Sequence, residues 1–535
     1  MMPMLAFRPL AAIANAVVFL LAGVAAAGPN VVLVRVDGKA LAEPGAGVAR
    51  FSQAVAGPTV AADQAELLSG RHEFACGVSH MREGRNFVRP DAPLLPEAFR
   101  RAGYRTALAG EWRLGSALPC RAVDRGFEET FGAEPDGALD GRWGVAAGST
   151  AELRKREALR WLGERAGDRK PFFLAVDWPA GEPLAGLLRE LDRLGLAGGT
   201  IVVAGGKPSA DAAFPENTTA ALAIRWPGRT DDGRTVEGLA SWLDVAPTLA
   251  AACGLEFPAG DGIDLGPVLA GKAELPSGRK VFLHAGGWPG DDSPERHASQ
   301  GFAVRDERWL LSGLEFFDLT KPAAERANEF ESHAGLATAW LRDYGAWWRR
   351  VLPAVQEPVR AIVGDARQPV VRLTAADWWP SREMAQADGA AACRDQAALL
   401  GLLETLADPG KAAGQTSVSG HWKLQVASEG HYRITLAKLP PEAGEAERKR
   451  LGTLRAGTVH LRAGKFELRS AVLENATAVT VGMDLPQGAV EFETWFDGQL
   501  PGERIVGAFF VGLERVGERK LPDPASLIRP DAKKP

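Results

Sequence analysis

Short aliphatic runs alternate with amphipathic stretches through the first two thirds of the chain. The run Asn30-Val-Val-Leu-Val-Arg-Val36 is too short for a buried helix and ends at Asp37-Gly38, the pattern of a buried strand that empties into a loop. Leu94 to Ala102 has helical spacing, stops at Gly103 and leads into a second strand-like run, Tyr104 to Ala109. The alternation continues with Ala151 to Arg165 as helix, Pro171 to Val176 as strand, Leu184 to Leu194 as helix and Thr200 to Ala204 as strand. This order predicts an α/β fold with a mostly parallel sheet flanked by helices, whose ligands gather at the C-terminal ends of the strands.

The pattern changes near residue 355. A helical stretch, Leu336 to Arg350, carries Trp340, Trp347 and Trp348, and then Pro353, Pro358 and Pro369 interrupt any regular element. Between about 420 and 515 the period becomes two, as in Trp422-Lys-Leu-Gln-Val426 and Val490-Glu-Phe-Glu-Thr-Trp495, which predicts a C-terminal antiparallel β-sandwich. The expected division is a signal peptide over 1–27, an α/β domain over 28–354, a linker or peripheral segment over 355–419, the sandwich over 420–516 and a loose tail over 517–535.

The signal-peptide reading rests on Arg8, the uncharged apolar run Ala11 to Val24 and the small-residue site Ala25-Ala26-Ala27 before Gly28. It implies export to a periplasmic or extracellular space, with no stable membrane insertion after cleavage. With 46% hydrophobic residues, 24% charged residues and a net charge of −5 of mixed sign, the chain has globular composition and no nucleic-acid footprint. The four cysteines, Cys76, Cys120, Cys253 and Cys393, have neither CxxC spacing nor histidine partners, so a structural zinc site is not expected. A bridge between Cys76 and Cys120 stays open.

Several motifs follow one another in a fixed order: Asn30 to Asp37, Ala65-Glu-Leu-Leu-Ser-Gly-Arg71 with Gly77-Val78, Leu94 to Gly110, and Trp112 with Leu114-Gly115. Arg125-Gly-Phe-Glu-Glu-Thr-Phe-Gly132, Pro171-Phe-Phe-Leu174, Thr200-Ile-Val-Val203, Ile224-Arg-Trp-Pro-Gly228, Asp244-Val-Ala-Pro-Thr-Leu249 and Phe317-Asp-Leu319 continue the series. Together they resemble the sulfatase family, within the alkaline-phosphatase-like superfamily. The last 140 or so residues are similar to the accessory β-sandwich of some secreted bacterial sulfatases, through Gly420-His-Trp422, Gly430-His-Tyr-Arg-Ile434 and Gly507-Ala-Phe-Phe-Val511.

That resemblance implies a formylglycine nucleophile, made from Cys or Ser in a Cys/Ser-x-Pro-x-Arg motif, and a calcium ion held by carboxylates and an amide or imidazole. Counting back from Leu67-Leu-Ser-Gly-Arg71, the nucleophile position falls on Val60, the proline position on Ala62 and the arginine position on Gln64. Valine has no sulfur or oxygen to oxidise. The first metal pair becomes Asp37-Gly38 and the later one Lys207-Pro208, a set that cannot surround a hard dication. The sulfate-facing lysine becomes Glu111, and the histidine two residues on becomes Arg113. No histidine lies between His80 and His284 to serve as leaving-group acid or zinc ligand.

The expectation is a catalytically inactive sulfatase-like protein, without calcium or formylglycine and with no catalytic residues, that binds a sulfated or polyanionic glycan or a protein partner. The alternative is an active sulfuric-ester or phosphoester hydrolase with a non-standard site. Lys207 either pairs with Asp37 or points to solvent from its loop, and Arg113 with Glu111 forms either a compensating ion pair or a new anion or sugar contact. Thr59 is a remote candidate nucleophile, lacking a metal or base to activate it. Trp340, Trp347 and Trp348 fit packing better than sugar stacking, while Trp378 and Trp379 are open to both. His284 is expected in a loop, and Asn217-Thr-Thr219 matches a glycosylation acceptor that carries no meaning in a bacterial chain.

Overall fold

The computed structural model of this chain describes residues 28–41, 46–81, 84–133, 139, 143, 149–207, 213–289, 292–381 and 395–518. The signal-peptide segment, Pro208, Cys393 and most of the tail lie outside them. Among the described residues no helix is long and apolar enough to cross a membrane.

The main sheet has eight strands: β1 (Asn30–Asp37), β2 (Ala49–Val55), β3 (Arg105–Ala109), β4 (Glu129–Thr130), β5 (Phe172–Asp177), β6 (Thr200–Lys207), β7 (Thr219–Arg225) and β8 (Thr235–Ser241). Their order is β4-β3-β5-β1-β6-β7-β2-β8, and only β7 runs antiparallel to its neighbours. Val31, Val32, Leu33 and Val34 are all buried, because β1 is covered on both faces. The helices are α1 (Val60–Ser69), α2 (Leu95–Arg101), α3 (Ser149–Arg165), α4 (Ala185–Arg193), α5 (Val245–Cys253), the short α6 (Gly266–Leu269) and α7 (Ala334–Gln356).

One apolar cluster takes Val31, Leu33 and Phe173 from one face of the sheet with Ala61, Ala65 and Leu68 of α1. A second takes Val32, Val34 and Leu174 from the other face with Trp161 of α3 and Leu187 of α4. The fold is therefore α/β with a mostly parallel sheet between helical layers, as the alternation predicts.

A four-stranded antiparallel sheet follows, of β9 (Val281–His284), β10 (Phe302–Arg305), β11 (Trp309–Ser312) and β12 (Glu315–Asp318). Trp340, Trp347 and Trp348 of α7 pack on it with Phe302, Trp309 and Phe316, so these tryptophans are core.

The C-terminal region forms two further sheets. One contains Ala361–Val363, Gly420–Val426, Gly488–Phe496, Gly457–Ala463 and Phe466–Val472; the other contains Val370–Thr374, Phe510–Gly517, Gly430–Ala437 and Val479–Leu485. Trp422, Phe492, Tyr432, Ile434 and Leu513 from the two sheets share one core, which is the β-sandwich expected from the period-two pattern. Within the proline-interrupted stretch 355–419, Ala361–Val363 and Val370–Thr374 join these sheets as strands. Trp378 is buried there, and Trp379 carries the Lys423 ammonium 3.5 Å above its ring.

Candidate functional site

Asp37 and Lys207 end β1 and β6 and face each other in register. A Cβ on Gly206 would stand 2.6 Å from the Val36 carbonyl oxygen, so only glycine lets the end of β6 run this close to β1. Opposite the strand ends, α1 begins at Val60, whose side chain is 39% exposed. The Thr59 hydroxyl accepts a bond from Ala62 N–H at 3.2 Å, which makes Thr59 a helix cap.

Lys207 takes a partner that neither reading of the sequence names. Its ammonium lies 2.9 Å from Asp63 Oδ2 and donates to the Gly57 carbonyl. Asp63 sits one turn beyond Val60, so its carboxylate hangs below the N-terminus of α1, within reach of the end of β6. Burial pushes Asp63 up to about 6, with Lys207 and then Arg35 pulling against it.

Gln64 stitches the loop after β3 to α1. Its Nε2 donates to the Glu111 carbonyl at 2.8 Å, and its Oε1 accepts from Arg113 N–H at 2.8 Å. Arg35 of β1 grips Asp177 of β5 through two bonds of 2.6 and 2.7 Å, and Asp177 also accepts from Glu111 N–H at 2.6 Å. Arg113 closes on Glu111 Oε2 with bonds of 2.9 and 2.6 Å, the compensating ion pair, while Arg154 approaches the other oxygen at 3.5 Å. Burial alone would raise the Glu111 carboxyl, but Arg113, Arg35 and Arg154 outweigh it and hold the group below its ordinary value. A void of about 20 Å³ lined by Arg35, Gln64 and Asp177 has room for no more than a water.

Sequence comparison gives the relationship. The chain is 25% identical to the N-acetylgalactosamine-6-sulfatase of Canis lupus familiaris, in an alignment covering 43% of this chain and 60% of that protein. This chain is a sulfatase homologue. It spans about 60% of the length of that relative. No protein-family model matches it. Among solved structures, Ps i-CgsB in complex with k-i-k-neocarrahexaose is similar at 18% identity and a TM-score of 0.49, over 60% of this chain and 92% of that one. The phosphonate monoester hydrolase of Agrobacterium radiobacter is similar at 18% identity and a TM-score of 0.46, over 61% of this chain and 96% of that one.

Set on the sulfatase pattern, Val60, Gln64, Glu111, Arg113, Asp37, Gly38 and Lys207 converge at one edge of the sheet, with Gly38 in the turn Gly38–Leu41 after β1. These residues do not fit the calcium ion and formylglycine that the family resemblance implies. An ammonium already lies against Asp63, and the helix starts with an aliphatic side chain.

Other candidates settle elsewhere. His284 is not in a loop but buried at the end of β9, with Nε2 3.1 Å from the His297 carbonyl and Nδ1 accepting from Gly286 N–H at 2.9 Å. Asn217 donates to the Pro58 carbonyl at 3.0 Å and helps hold the segment before α1. Cys76 and Cys120 are separate buried thiols, donating to Ser69 Oγ at 3.3 Å and to the Val88 carbonyl at 3.2 Å.

The sequence reading missed Asp63, Arg35, Asp177 and Arg154. It also missed a buried group formed by Glu66, His72 and Glu73. The available signal was a pair of acids at positions 63 and 66, three apart in an apolar helix.

Proposed function

We propose that this sulfatase homologue is an exported protein that does not hydrolyse sulfate esters and acts instead by binding a sulfated glycan. The observation that carries the silent half of the proposal is the pairing of Lys207 with Asp63 beside a helix that begins with Val60. Sulfate-ester hydrolysis needs a nucleophile aimed at sulfur and a cation to gather the developing charge. Here an aliphatic side chain stands at the first position and an internal ammonium occupies the strand end. Arg113, the other cationic replacement, is spent on Glu111.

The binding half is supported by the scaffold retained around these losses and by the name of the relative, an N-acetylgalactosamine-6-sulfatase. Purified protein offered an aryl sulfate and an aryl phosphate, with calcium or zinc supplied, is expected to give no turnover above the blank. Turnover that disappears in Asp37→Asn overturns the silent reading. A glycan bearing N-acetylgalactosamine 6-sulfate should be retained and its desulfated form should not. Equal retention of the two, or of neither, overturns the glycan reading.

A further inference from the structure

Between α1 and the turn that follows it, the chain buries three groups that the site above does not use. Glu66 belongs to α1, and His72 and Glu73 open the 3-10 turn Glu73–Cys76; they are 1%, 1% and 2% exposed. One ligand atom from each lies within 4.8 Å of the other two. His72 Nδ1 accepts a long bond from Phe74 N–H at 3.3 Å, yet it also stands 3.0 Å from Glu73 Oε2. Two lone-pair atoms at that separation require a positive centre between them, either a proton or a metal ion. Glu66 Oε2 and both Glu73 oxygens meet no donor from any third residue; the two carboxyls lie close enough to share a proton, and Glu73 also faces its own backbone N–H. Buried carboxylates left this way are strongly unfavourable. Lys207 acts on both carboxyls from a distance, but its ammonium is committed to Asp63.

We propose that Glu66, His72 and Glu73 form a structural site for a divalent transition-metal ion of the zinc class. One imidazole nitrogen and two carboxylates are a donor set that borderline ions accept and that calcium, preferring oxygen alone, does not. An ion of this class bonds nitrogen and oxygen at about 2.0–2.2 Å, so the ligand atoms, now within 4.8 Å of one another, would draw in around it.

The position suits a clamp. The His72 ring meets Trp347 of α7 edge-on at 4.5 Å, so an ion here ties α1 to the turn after it and, through that ring, to α7.

The test is elemental analysis of the full chain purified without chelator, paired with thermal unfolding. One zinc-class ion per chain is expected, with a Tm that falls by several degrees on stripping and recovers when zinc alone is returned. Glu66→Gln and Glu73→Gln should each abolish the stoichiometric ion. Protein that carries no stoichiometric ion and gains no stability from zinc overturns the site, leaving a proton shared between two acids. Zinc bound equally well by both variants places the ion elsewhere and also overturns it. If the variants do not fold, the wild-type stripping and return experiment decides.

Discussion

Lys207 and Asp63 meet at 2.9 Å with side chains only 13% and 7% exposed, where the end of β6 touches the first turn of α1. A charge pair this dry is stabilising only while both members are present. Such a pair at the edge of a parallel sheet replaces, in one contact, what an oxygen-ligated dication would otherwise do there: it neutralises acid at the strand ends.

Lys207→Met should therefore cost about 3–5 kcal/mol, the usual range for stranding one member of a buried pair. Because burial already holds Asp63 at about 6, the stranded carboxyl can take a proton in acid. The loss should be larger at pH 8 than at pH 5 in urea denaturation. An equal loss at both would show that Asp63 does not feel the ammonium.

Glu111→Lys restores the residue type that the family resemblance implies, and it should destabilise. It would face Arg113 and Arg154, which now close on the carboxylate at 2.6 and 3.5 Å. A loss of about 3 kcal/mol or more is expected, with Glu111→Gln milder. Chemical denaturation of the two variants side by side checks the order.

The thiols of Cys76 and Cys120 should be inert in the native protein. Burial pushes each up to about 12, so almost no thiolate exists at neutral pH. Iodoacetamide should label neither until the chain is unfolded, and intact mass should show no bridge between them. Rapid native labelling of either would contradict the packing around α1.

Stability of metal-free protein should fall as pH rises from about 6.5 to 8. An unfolded glutamate is already ionised over this window, whereas native Glu73, raised to about 8, still holds its proton. The native state thus binds more protons, and stability is lost as pH climbs through the folded value. The groups facing Glu73 are Glu66 and Asp63 of α1, neighbouring His72 and, from β6, Lys207. Tm measured across the window should decline in the wild type and decline less in Glu73→Gln, where burial still raises Glu66.

Much of this was legible in the chain before any coordinates. Consecutive Val31 to Val34 announce a strand buried on both faces, and the period-two runs announce the sandwich. Val60 and Gln64 could be placed by counting back from a gapless motif, and Lys207 from the end of the strand before it. The partner of Lys207 could not be read the same way. Asp37 is its neighbour across two strands, but an ammonium on a flexible stem reaches for the carboxylate that the next layer presents, and Asp63 belongs to that layer. Glu66 hid inside a motif valued for its scaffold role. His72 lies before the histidine-free stretch between His80 and His284, and the turn after α1 folds it back against the helix. The strands at Ala361–Val363 and Val370–Thr374 were masked by flanking prolines, since three to five residues give too little period to recognise.

Calcium titration by calorimetry on the purified full chain tests the silent site most directly. No saturable heat is expected at the strand ends, because Lys207 already supplies the positive charge there. Stoichiometric calcium binding in the wild type that vanishes in Asp37→Asn would contradict that view and return the protein to the candidates for active hydrolases.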